Sequence, residues 1–282
     1  MIITALVENN PFVDEGDLIA EHALSLHIST NGKQILFDTG ASDVFSKNAS
    51  KLCIDLGKVT TAVLSHHHYD HGGGLARFFE LNANAKVHLK EPPDGECYFK
   101  ALVVLNKYIG IDRGLIEAHA DRFSFIKEFT EIIPDVYIIT RIKSLYEKPR
   151  GNRYLYVKRD NTTRLDDFSH ELILVIRENG KLIVFTGCSH NGVLNMIDTV
   201  AEQFEGVPIK AVIGGFHLVG LPMFNTMAGS KGGVEDVGVE ILKYPVEKIV
   251  SGHCTGQKAY NVLKNVLGEK LEQLHSGMVI EI

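Results

Sequence analysis

The sequence predicts a four-layer α/β fold, in which two β-rich halves pack sheet on sheet with helices on both outer faces. Each half contains an Asn-Gly pair between two apolar runs, at Asn31-Gly32 and at Asn179-Gly180, and this pattern is a strong signal of a β-hairpin. A further apolar strand follows each hairpin, at Thr61-Ala62-Val63-Leu64 and at Lys210-Ala211-Val212-Ile213. The repeated layout indicates two related halves, each of which presents polar residues at the ends of its strands.

Helices are predicted between these strands. Apolar residues at helical spacing indicate helices that begin near Leu75 and Val193, and one near the C-terminus that contains Val262. We expect residues 1–282 to form a single domain with an insertion, or cap over the site, at about residues 90–168, because that stretch fits neither half. Within the insertion we predict a helix near Tyr98 to Tyr108 and a polar stretch from Tyr146 to Asp167.

Composition narrows the functional classes. The 282 residues are 45% hydrophobic, enough to bury a large core, and the net charge of −6 disfavours DNA or RNA as a partner. No apolar run approaches the ~18 residues of a membrane span, and the first ten residues are interpreted as a strand rather than a signal peptide. Without a CxxC pair, the cysteines are expected to be reduced thiols in a cytoplasmic protein; they are Cys53, Cys97, Cys188 and Cys254.

The segment from Ser65 to Gly74, SHHHYDHGGG, carries the strongest chemical signal. In extended backbone the side chains alternate, so His66 and His68 point the same way and can hold one metal ion. Asp70 and His71, just past the turn, can bind a second ion. The three glycines let the backbone pass close to the metals. They also place free N–H groups at a helix N-terminus, where an anionic group of a substrate can bind.

Several other residues allow both a functional and a structural interpretation. A lone surface histidine has no function by default, which applies to His22, His27, His119 and His275. Cys188 and Cys254 are expected to be small buried thiols, with a thiolate metal ligand as the alternative. Five basic residues of the insertion are equally compatible with a phosphate site and with solvated charge; they are Arg141, Arg150, Arg153, Lys158 and Arg159.

The spacing His66-x-His68-x-Asp70-His71 matches the signature of the metallo-β-lactamase superfamily, and the other motifs of that family follow in the same order. The resemblance implies the αββα sandwich of the family. Phe37-Asp38-Thr39-Gly40 resembles the first motif, which implies that Asp38 orients a metal ligand without binding the metal itself.

Two distal histidines complete the resemblance. Gly187-Cys188-Ser189-His190 resembles the motif that carries the third ligand of the first metal, so the resemblance implies that His190 joins His66 and His68. Ser251-Gly252-His253 resembles the last motif, which implies that His253 joins Asp70 and His71 on the second metal.

A narrower similarity is also visible. The segments Gly187–Gly192, Gly214–Leu218 and Gly252–Gly256 look like those of the superfamily-II metal-dependent hydrolases. That subfamily includes the archaeal 7,8-dihydropterin-6-ylmethyl-4-(β-D-ribofuranosyl)aminobenzene 5′-phosphate synthases, which join a pterin methyl diphosphate to an aryl ribose phosphate and release pyrophosphate. The similarity indicates the subfamily more strongly than the substrate, because one fold hosts many functions.

These motifs together imply an enzyme with two divalent metal ions, zinc first, with manganese or iron as alternatives. Two such ions lower the pKa of a shared water to about 7 for hydrolysis, or neutralise a diphosphate leaving group during transfer. The expected partner is a small anionic, phosphorylated substrate, with no nucleic acid and no membrane.

Three alternatives belong to other functional classes. A redox di-iron protein on the same fold tends to replace the second motif histidine with a carboxylate, which His68 does not fit. A non-catalytic metal-binding domain is disfavoured by the full ligand set. Nucleic-acid processing is disfavoured by the acidic charge.

His217 departs from the common family pattern. Many relatives have an aspartate that bridges both metals between the third and last motifs, but here the strand end carries Gly214-Gly215-Phe216-His217. Asp198 is predicted on a helix and Asp236 in a loop. A neutral imidazole has one lone pair and cannot bridge two ions. We therefore expect His217 to bind a single metal or to act just outside the shell as a catalytic donor alongside Asp70, with a structural core histidine as the alternative.

Overall fold

The computed structural model describes residues 1–11, 17–101, 105–221 and 226–282. These residues form a mixed α/β protein with two seven-stranded sheets and one four-stranded sheet. They group into two compact units. The first unit comprises residues 1–92, 109–127 and 274–282, and the second comprises residues 93–108 and 128–273. The stretch predicted as an insertion is therefore divided between the units, because residues 109–127 belong to the first.

Strands and helices follow one another along the chain. Up to residue 127 they are β1 (Ile2–Val7), β2 (Ser25–Thr30), β3 (Lys33–Phe37), α1 (Val44–Lys51), β4 (Thr61–Val63), α2 (Tyr69–Gly72), α3 (Leu75–Leu81), β5 (Lys86–Leu89), β6 (Glu96–Ala101), β7 (Leu105–Tyr108), α4 (Arg113–Ala118) and β8 (Phe123–Phe125). From residue 128 onward they are β9 (Thr130–Ile133), β10 (Val136–Ile139), β11 (Leu155–Arg159), β12 (Thr162–Leu165), β13 (Ile173–Glu178), β14 (Lys181–Phe185), α5 (Val193–Gln203), β15 (Ile209–Gly214), α6 (Lys231–Ile241), β16 (Val246–Ser251), α7 (Gln257–Leu267), β17 (Leu271–Gln273) and β18 (Val279–Glu281). Short 3₁₀ turns lie at Leu56–Lys58, Ala120–Arg122, Arg150–Tyr154, His253–Thr255 and Gly268–Lys270.

The sheet of the first unit has the strand order β18-β1-β2-β3-β4-β5-β8. β2 and β3 form the first predicted hairpin, which is confirmed. Both turn residues have positive φ, 48° at Asn31 and 74° at Gly32, as a two-residue hairpin turn requires. From β3 to β8 neighbouring strands are parallel, so their carboxyl ends lie at one edge of the sheet. Asp38 follows β3 at that edge, and the segment beginning at Ser65 follows β4.

Helices of the first unit bury apolar residues in its core. α3 begins at Leu75, as predicted, and buries Leu75, Phe78 and Phe79. These residues share one cluster with Phe45 of α1 and Leu36 of β3. Because each such side chain contributes roughly 1.5–3 kcal/mol when it is fully buried, this cluster holds the helices and the carboxyl edge of the sheet in place.

The large sheet of the second unit has the strand order β17-β16-β15-β14-β13-β10-β9. β13 and β14 form the second predicted hairpin, with φ of 52° at Asn179 and 73° at Gly180, and this prediction is also confirmed. From β14 to β17 the strands are parallel, so the loops after β14, β15 and β16 leave the same edge. Those loops carry His190, His217 and His253.

The remaining predicted elements are confirmed except one. α5 begins at Val193, α7 contains Val262, and the N-terminal strand is β1. The helix predicted near Tyr98 to Tyr108 is wrong: β6 and β7 occupy the described residues there and pair antiparallel, with Tyr98 opposite Tyr108. The two rings lie 5.7 Å apart, and such cross-strand aromatic pairs favour a sheet over the helical spacing of apolar residues. The strands β6 and β7, together with β11 and β12, form the four-stranded sheet.

Within the part of the chain that the structure describes, no helix combines the length and apolar character that crossing a membrane requires.

Candidate metal centre

In the first unit, the segment after β4 holds two histidines that face each other. The Nε2 atom of His66 lies 3.0 Å from the Nδ1 atom of His68. The ring of His67 lies against the Lys90 carbonyl oxygen instead, with its Nε2 atom at 2.7 Å. His66 and His68 thus face one side and His67 another, as predicted, although the chain bends at His66 and His67. His66 and His68 are both buried, so their facing ring nitrogens are shielded from solvent.

Asp70 and His71 lie on α2, directly after these histidines. The Oδ2 atom of Asp70 is 3.8 Å from Nε2 of His71 and 3.5 Å from Nε2 of His22. The contact with His22 was missed at the level of sequence, where no function was the default for that residue. It arises because the Leu24 N–H donates to the Asp70 carbonyl oxygen, which brings the irregular segment before β2 beside α2.

The other lone histidines have surroundings typical of structural residues. Nε2 of His27 lies 3.3 Å from the Gln34 amide oxygen across the first hairpin, and burial lowers the pKa of His27. The ring of His119 packs on Phe79.

The buried carboxylate of Asp38 contacts the segment that carries His66 and His71. Asp38 accepts hydrogen bonds from the Ser65 N–H at 2.7 Å and from the Ser65 hydroxyl at 2.8 Å. Its Oδ2 atom also lies 2.6 Å from Nδ1 of His71. The Ser65 hydroxyl in turn lies 2.9 Å from Nδ1 of His66. Nδ1 of each ring is engaged in this way, while Nε2 of His66 faces His68 and Nε2 of His71 faces Asp70.

Asp38 makes these contacts from an unusual backbone conformation. Its φ is 59°, in the left-handed region that residues other than glycine rarely adopt. Ser65, which joins Asp38 to His66, was not among the predicted site residues. Its position immediately before the histidines was the available signal.

The three glycines after His71 do not offer free N–H groups, so this part of the sequence-based expectation is wrong. The amides of Gly72, Gly73 and Gly74 donate to the carbonyl oxygens of His68, Tyr69 and Gly40. The reason for glycine here is close packing. A Cβ atom at Gly73 would lie 2.3 Å from the Ala41 carbonyl oxygen, and one at Gly74 would lie 2.2 Å from that of Thr39. The glycines thus let α2 and α3 approach the loop that follows Asp38.

In the second unit, His190 is held on several sides. Its backbone N–H donates to Oε1 of Glu171 at 2.7 Å, and its ring stacks on Phe168 with centroids 4.1 Å apart. The amide group of Asn152 donates to the His190 carbonyl oxygen at 2.8 Å, and its Oδ1 atom lies 3.1 Å from Nδ1 of the ring. With Nδ1 engaged in this way, Nε2 is the atom that can bind a metal ion.

Glu171 and Asn152 were both missed by sequence reasoning. Glu171 is fully buried and also accepts hydrogen bonds from the backbone and side-chain amides of Asn191. Burial raises the pKa of Glu171 to about 7, against the opposing effect of these hydrogen bonds. Neither residue lies in a recognisable motif, because each reaches His190 from a distant part of the chain.

His217 lies beside His190, at the end of β15. The two ring centroids are 4.2 Å apart. Nδ1 of His217 is buried and has no hydrogen-bond partner among the residues with described structure. The loops that carry these histidines are tied together, since the Gly215 N–H donates to the Gly187 carbonyl oxygen at 2.6 Å and the Ser189 hydroxyl to that of Gly215. His253 follows β16 in a 3₁₀ turn and is buried.

The two aspartates considered for the bridging role lie away from these strand ends. Asp198 is on α5, as predicted, where it binds Lys143 and the Tyr244 hydroxyl. Asp236 lies on α6 rather than in a loop, so that prediction is wrong. The helix begins at the Ser230 cap, and two consecutive glycines in its first turn hide the helical pattern in the sequence.

A cavity of about 300 Å³ opens within the second unit. Phe216 and Leu218, which flank His217, contribute to its wall, together with Val193 and Val234 from the starts of α5 and α6. Its charged lining residues are Glu147, Lys148, Arg150, Asp236 and Glu240.

Three other basic residues of the predicted phosphate cluster have protein partners. The guanidinium of Arg159 binds Asp94, that of Arg153 stacks over Tyr154, and the ammonium of Lys158 lies over the ring of Tyr98. The guanidinium of Arg150 lies 3.8 Å from the Glu147 carboxylate. Of these four basic residues, Arg150 is the one that lines the cavity.

The structure therefore brings His66, His68, Asp70 and His71 together in the first unit, and His190 and His217 together in the second. Imidazole nitrogens with a carboxylate or a thiol nearby are the donors that divalent transition metals prefer in proteins, so the residues of both units fit such ions.

Comparison with known proteins gives the class. A sequence profile described as the metallo-β-lactamase superfamily matches residues 21–99. A solved structure described as a metal-dependent hydrolase of the β-lactamase superfamily is 30% identical, covers 100% of this chain and 99% of its own, and superposes with a TM-score of 0.83. This chain belongs to the metallo-β-lactamase superfamily, a superfamily of metal-dependent hydrolases and related enzymes, and has its fold.

Two proteins of Methanocaldococcus jannaschii are also similar to this chain. A 7,8-dihydropterin-6-methyl-4-(β-D-ribofuranosyl)-aminobenzene-5′-phosphate synthase is 29% identical over 93% of this chain and 90% of its own length. An uncharacterized protein of the same organism is 31% identical over 100% of both chains.

Proposed function

We propose that this chain is a dinuclear metal enzyme that cleaves a bond to a phosphate or diphosphate group of a small molecule, either by hydrolysis or by transfer to a second substrate. The observation that carries the proposal is the buried donor set of the first unit. His66 and His68 face each other there, and the ring of His71 is oriented by the Asp38 carboxylate.

The proposed ligands follow the order of the family motifs. His66, His68 and His190 bind the first ion, and Asp70, His71 and His253 bind the second. Zinc is the first choice for these nitrogen-rich donors, with manganese or iron as alternatives. When bound, the two ions supply Lewis acidity that activates water or neutralises the charge of a leaving phosphate.

The cavity of the second unit is the proposed site for the body of the substrate. Its apolar wall at Phe216 and Leu218 suits a ring or an apolar chain. Arg150 at its lining can pair with an anionic group, whereas Glu147, Asp236 and Glu240 disfavour phosphate elsewhere in the cavity. Relationship to the synthase of M. jannaschii supports a phosphorylated substrate and makes phosphorylated pterins the first compounds to examine.

The metal assignment is tested by elemental analysis of the purified chain. We expect close to two metal equivalents. The double variant His66→Ala plus His190→Ala should lose the first ion, and Asp70→Ala should mainly weaken the second. Tight binding of both ions by the double variant would refute the assignment.

The reaction is tested with the metal-loaded enzyme. Phosphorylated pterins, phosphodiesters and lactones are compared, with each phosphorylated compound matched to its dephosphorylated form. Pyrophosphate release that requires an aryl acceptor indicates transfer, and incorporation of oxygen from labelled water indicates hydrolysis. A clear preference for neutral substrates would overturn the proposal, and oxygen consumption would instead identify redox chemistry.

A further inference from the structure

Three potential metal donors of the second unit lie within reach of one another. The ligand atoms of Cys188, His190 and His217 are all within 4.8 Å of each other. They come from two loops that leave the same edge of the sheet, after β14 and β15. Cys188 is 2% exposed and His190 is 1% exposed, whereas His217 is partly exposed, so the group is accessible from one side.

The protein holds His217 in this group in an energetically unfavourable state. Its φ of 48° is in the left-handed region, where a side chain with a Cβ atom is strained. Its Nδ1 atom is buried and makes no hydrogen bond to any residue in the described ranges. A buried, unsatisfied ring nitrogen is costly, and such atoms call for an ion or a water as partner.

Neighbouring residues leave room for this ring position. A Cβ atom at Gly151 would lie 3.0 Å from both Cδ2 and Nε2 of His217, so the absence of a side chain there accommodates the imidazole. Three features favour a binding role over a packing role for the His217 ring. They are the strained backbone, the unsatisfied ring nitrogen and the space left by Gly151.

The two buried cysteines of this region differ in their surroundings. The sulfur of Cys254 lies 3.5 Å from the Cys188 carbonyl oxygen and 3.3 Å from the His217 amide nitrogen, and it also interacts with the side chains of Cys188 and His217. It thereby ties the loop after β16 to the other two loops. The sulfur of Cys188, in contrast, is grouped with the ring nitrogens of two histidines.

We propose that Cys188 is a thiolate ligand and that, with His217, it joins His190 on the first metal ion, to which the proposed function assigns His190; this rests on the metal chemistry of the proposed function. On binding, the Cys188 thiol loses its proton to solvent and the sulfur forms a bond to the metal. One thiolate and two imidazoles are donors that zinc prefers.

Cobalt substitution tests the proposal on the full-length chain. Thiolate bound to Co²⁺ gives an intense near-ultraviolet charge-transfer band that imidazole and carboxylate ligands do not give. We expect this band in the native chain, its loss in Cys188→Ser, and its retention in the matched control Cys254→Ser. In His217→Ala we expect the band to persist with weaker cobalt binding and an altered visible spectrum.

A second measurement needs no variant and stays informative if Cys188→Ser does not fold. X-ray absorption at the zinc edge of the native protein should show sulfur at about 2.3 Å, on average half a sulfur per zinc when two ions are bound. Bound cobalt or zinc without a sulfur signal would overturn the thiolate inference and leave the proposed function intact. Loss of the charge-transfer band in Cys254→Ser, with the band retained in Cys188→Ser, would have the same consequence. Failure to bind either metal would instead overturn the proposed function itself.

Discussion

Nδ1 of His71 lies 2.6 Å from Oδ2 of Asp38, and both side chains are buried. The contact sets the orientation of the ring and directs its other nitrogen toward Asp70. A carboxylate in this position also makes the imidazole a more basic ligand. Asp38 can do this because the Ser65 amide and hydroxyl hold the carboxylate in place.

Replacing Asp38 by Asn should therefore weaken metal binding while keeping the size of the side chain. We expect the affinity for zinc to fall about 10- to 100-fold, the usual effect of losing a residue that orients a metal-binding histidine. Competition with a chromophoric chelator measures the change. Asp43→Asn, at an exposed carboxylate of the same unit, is the control and should bind zinc as the native chain does. Equal affinities for the two variants would show that Asp38 does not orient a ligand.

Asn152 should act in the same way on His190. Asn152→Ala removes the bonds to both the ring and the carbonyl group of His190, and we expect about tenfold weaker zinc binding. Asn152→Asp keeps an acceptor for the ring but loses the donor to the carbonyl oxygen, so its affinity should be intermediate. Zinc titration of these variants is compared with that of Asn161→Ala, which changes an exposed turn. The prediction is wrong if all three bind zinc equally.

Gly74, directly before α3, should tolerate no side chain. A Cβ atom at Gly74 would lie 2.2 Å from the Thr39 carbonyl oxygen and 2.7 Å from the Phe45 ring. We expect Gly74→Ala to lower the free energy of unfolding by roughly 3 kcal/mol or more, because backbone must move. Gly232→Ala is the matched control, because a Cβ atom at Gly232 in α6 would have no other atom within 4 Å. This substitution should leave the free energy of unfolding unchanged or raise it by about 0.5–1 kcal/mol. Urea denaturation of both variants without metal measures the change. A Gly74→Ala variant as stable as the native chain would contradict the close packing.

Reversing the charge of Arg150 should separate phosphorylated from neutral compounds. Arg150→Glu places a repulsive carboxylate at the cavity, so we expect KM for a phosphorylated substrate to rise about tenfold, equal to ~1.4 kcal/mol. KM for the dephosphorylated analogue should change little. Arg177→Glu, at an exposed arginine that pairs with Asp135 on another part of the unit, controls for net charge. An equal rise for both variants, or for both compounds, would remove Arg150 from the substrate site.

Much of the fold is encoded in short stretches of sequence. Asn31-Gly32 and Asn179-Gly180 determine their hairpins because a two-residue turn needs positive φ at both positions, which Asn and Gly adopt readily. The alternation of side chains predicted that His66 and His68 face each other, and the two rings do meet although the chain bends at His66 and His67. These predictions succeed because each depends on neighbours within a few residues.

Tertiary structure decided what depends on distant segments. Tyr98 and Tyr108 lie in paired strands because their cross-strand contact outweighs the helical spacing of the apolar residues. The amides of Gly72 to Gly74 are engaged because the loop after Asp38 brings carbonyl oxygens to them, which no local pattern reveals. Glu171 and Asn152 reach His190 from other parts of the chain, and His22 reaches Asp70 in the same way. The sequence by itself determined which residues have metal-binding chemistry, whereas the packing of remote segments decided which polar groups hold those residues in place, since a hydrogen bond depends on distance in space and not along the chain.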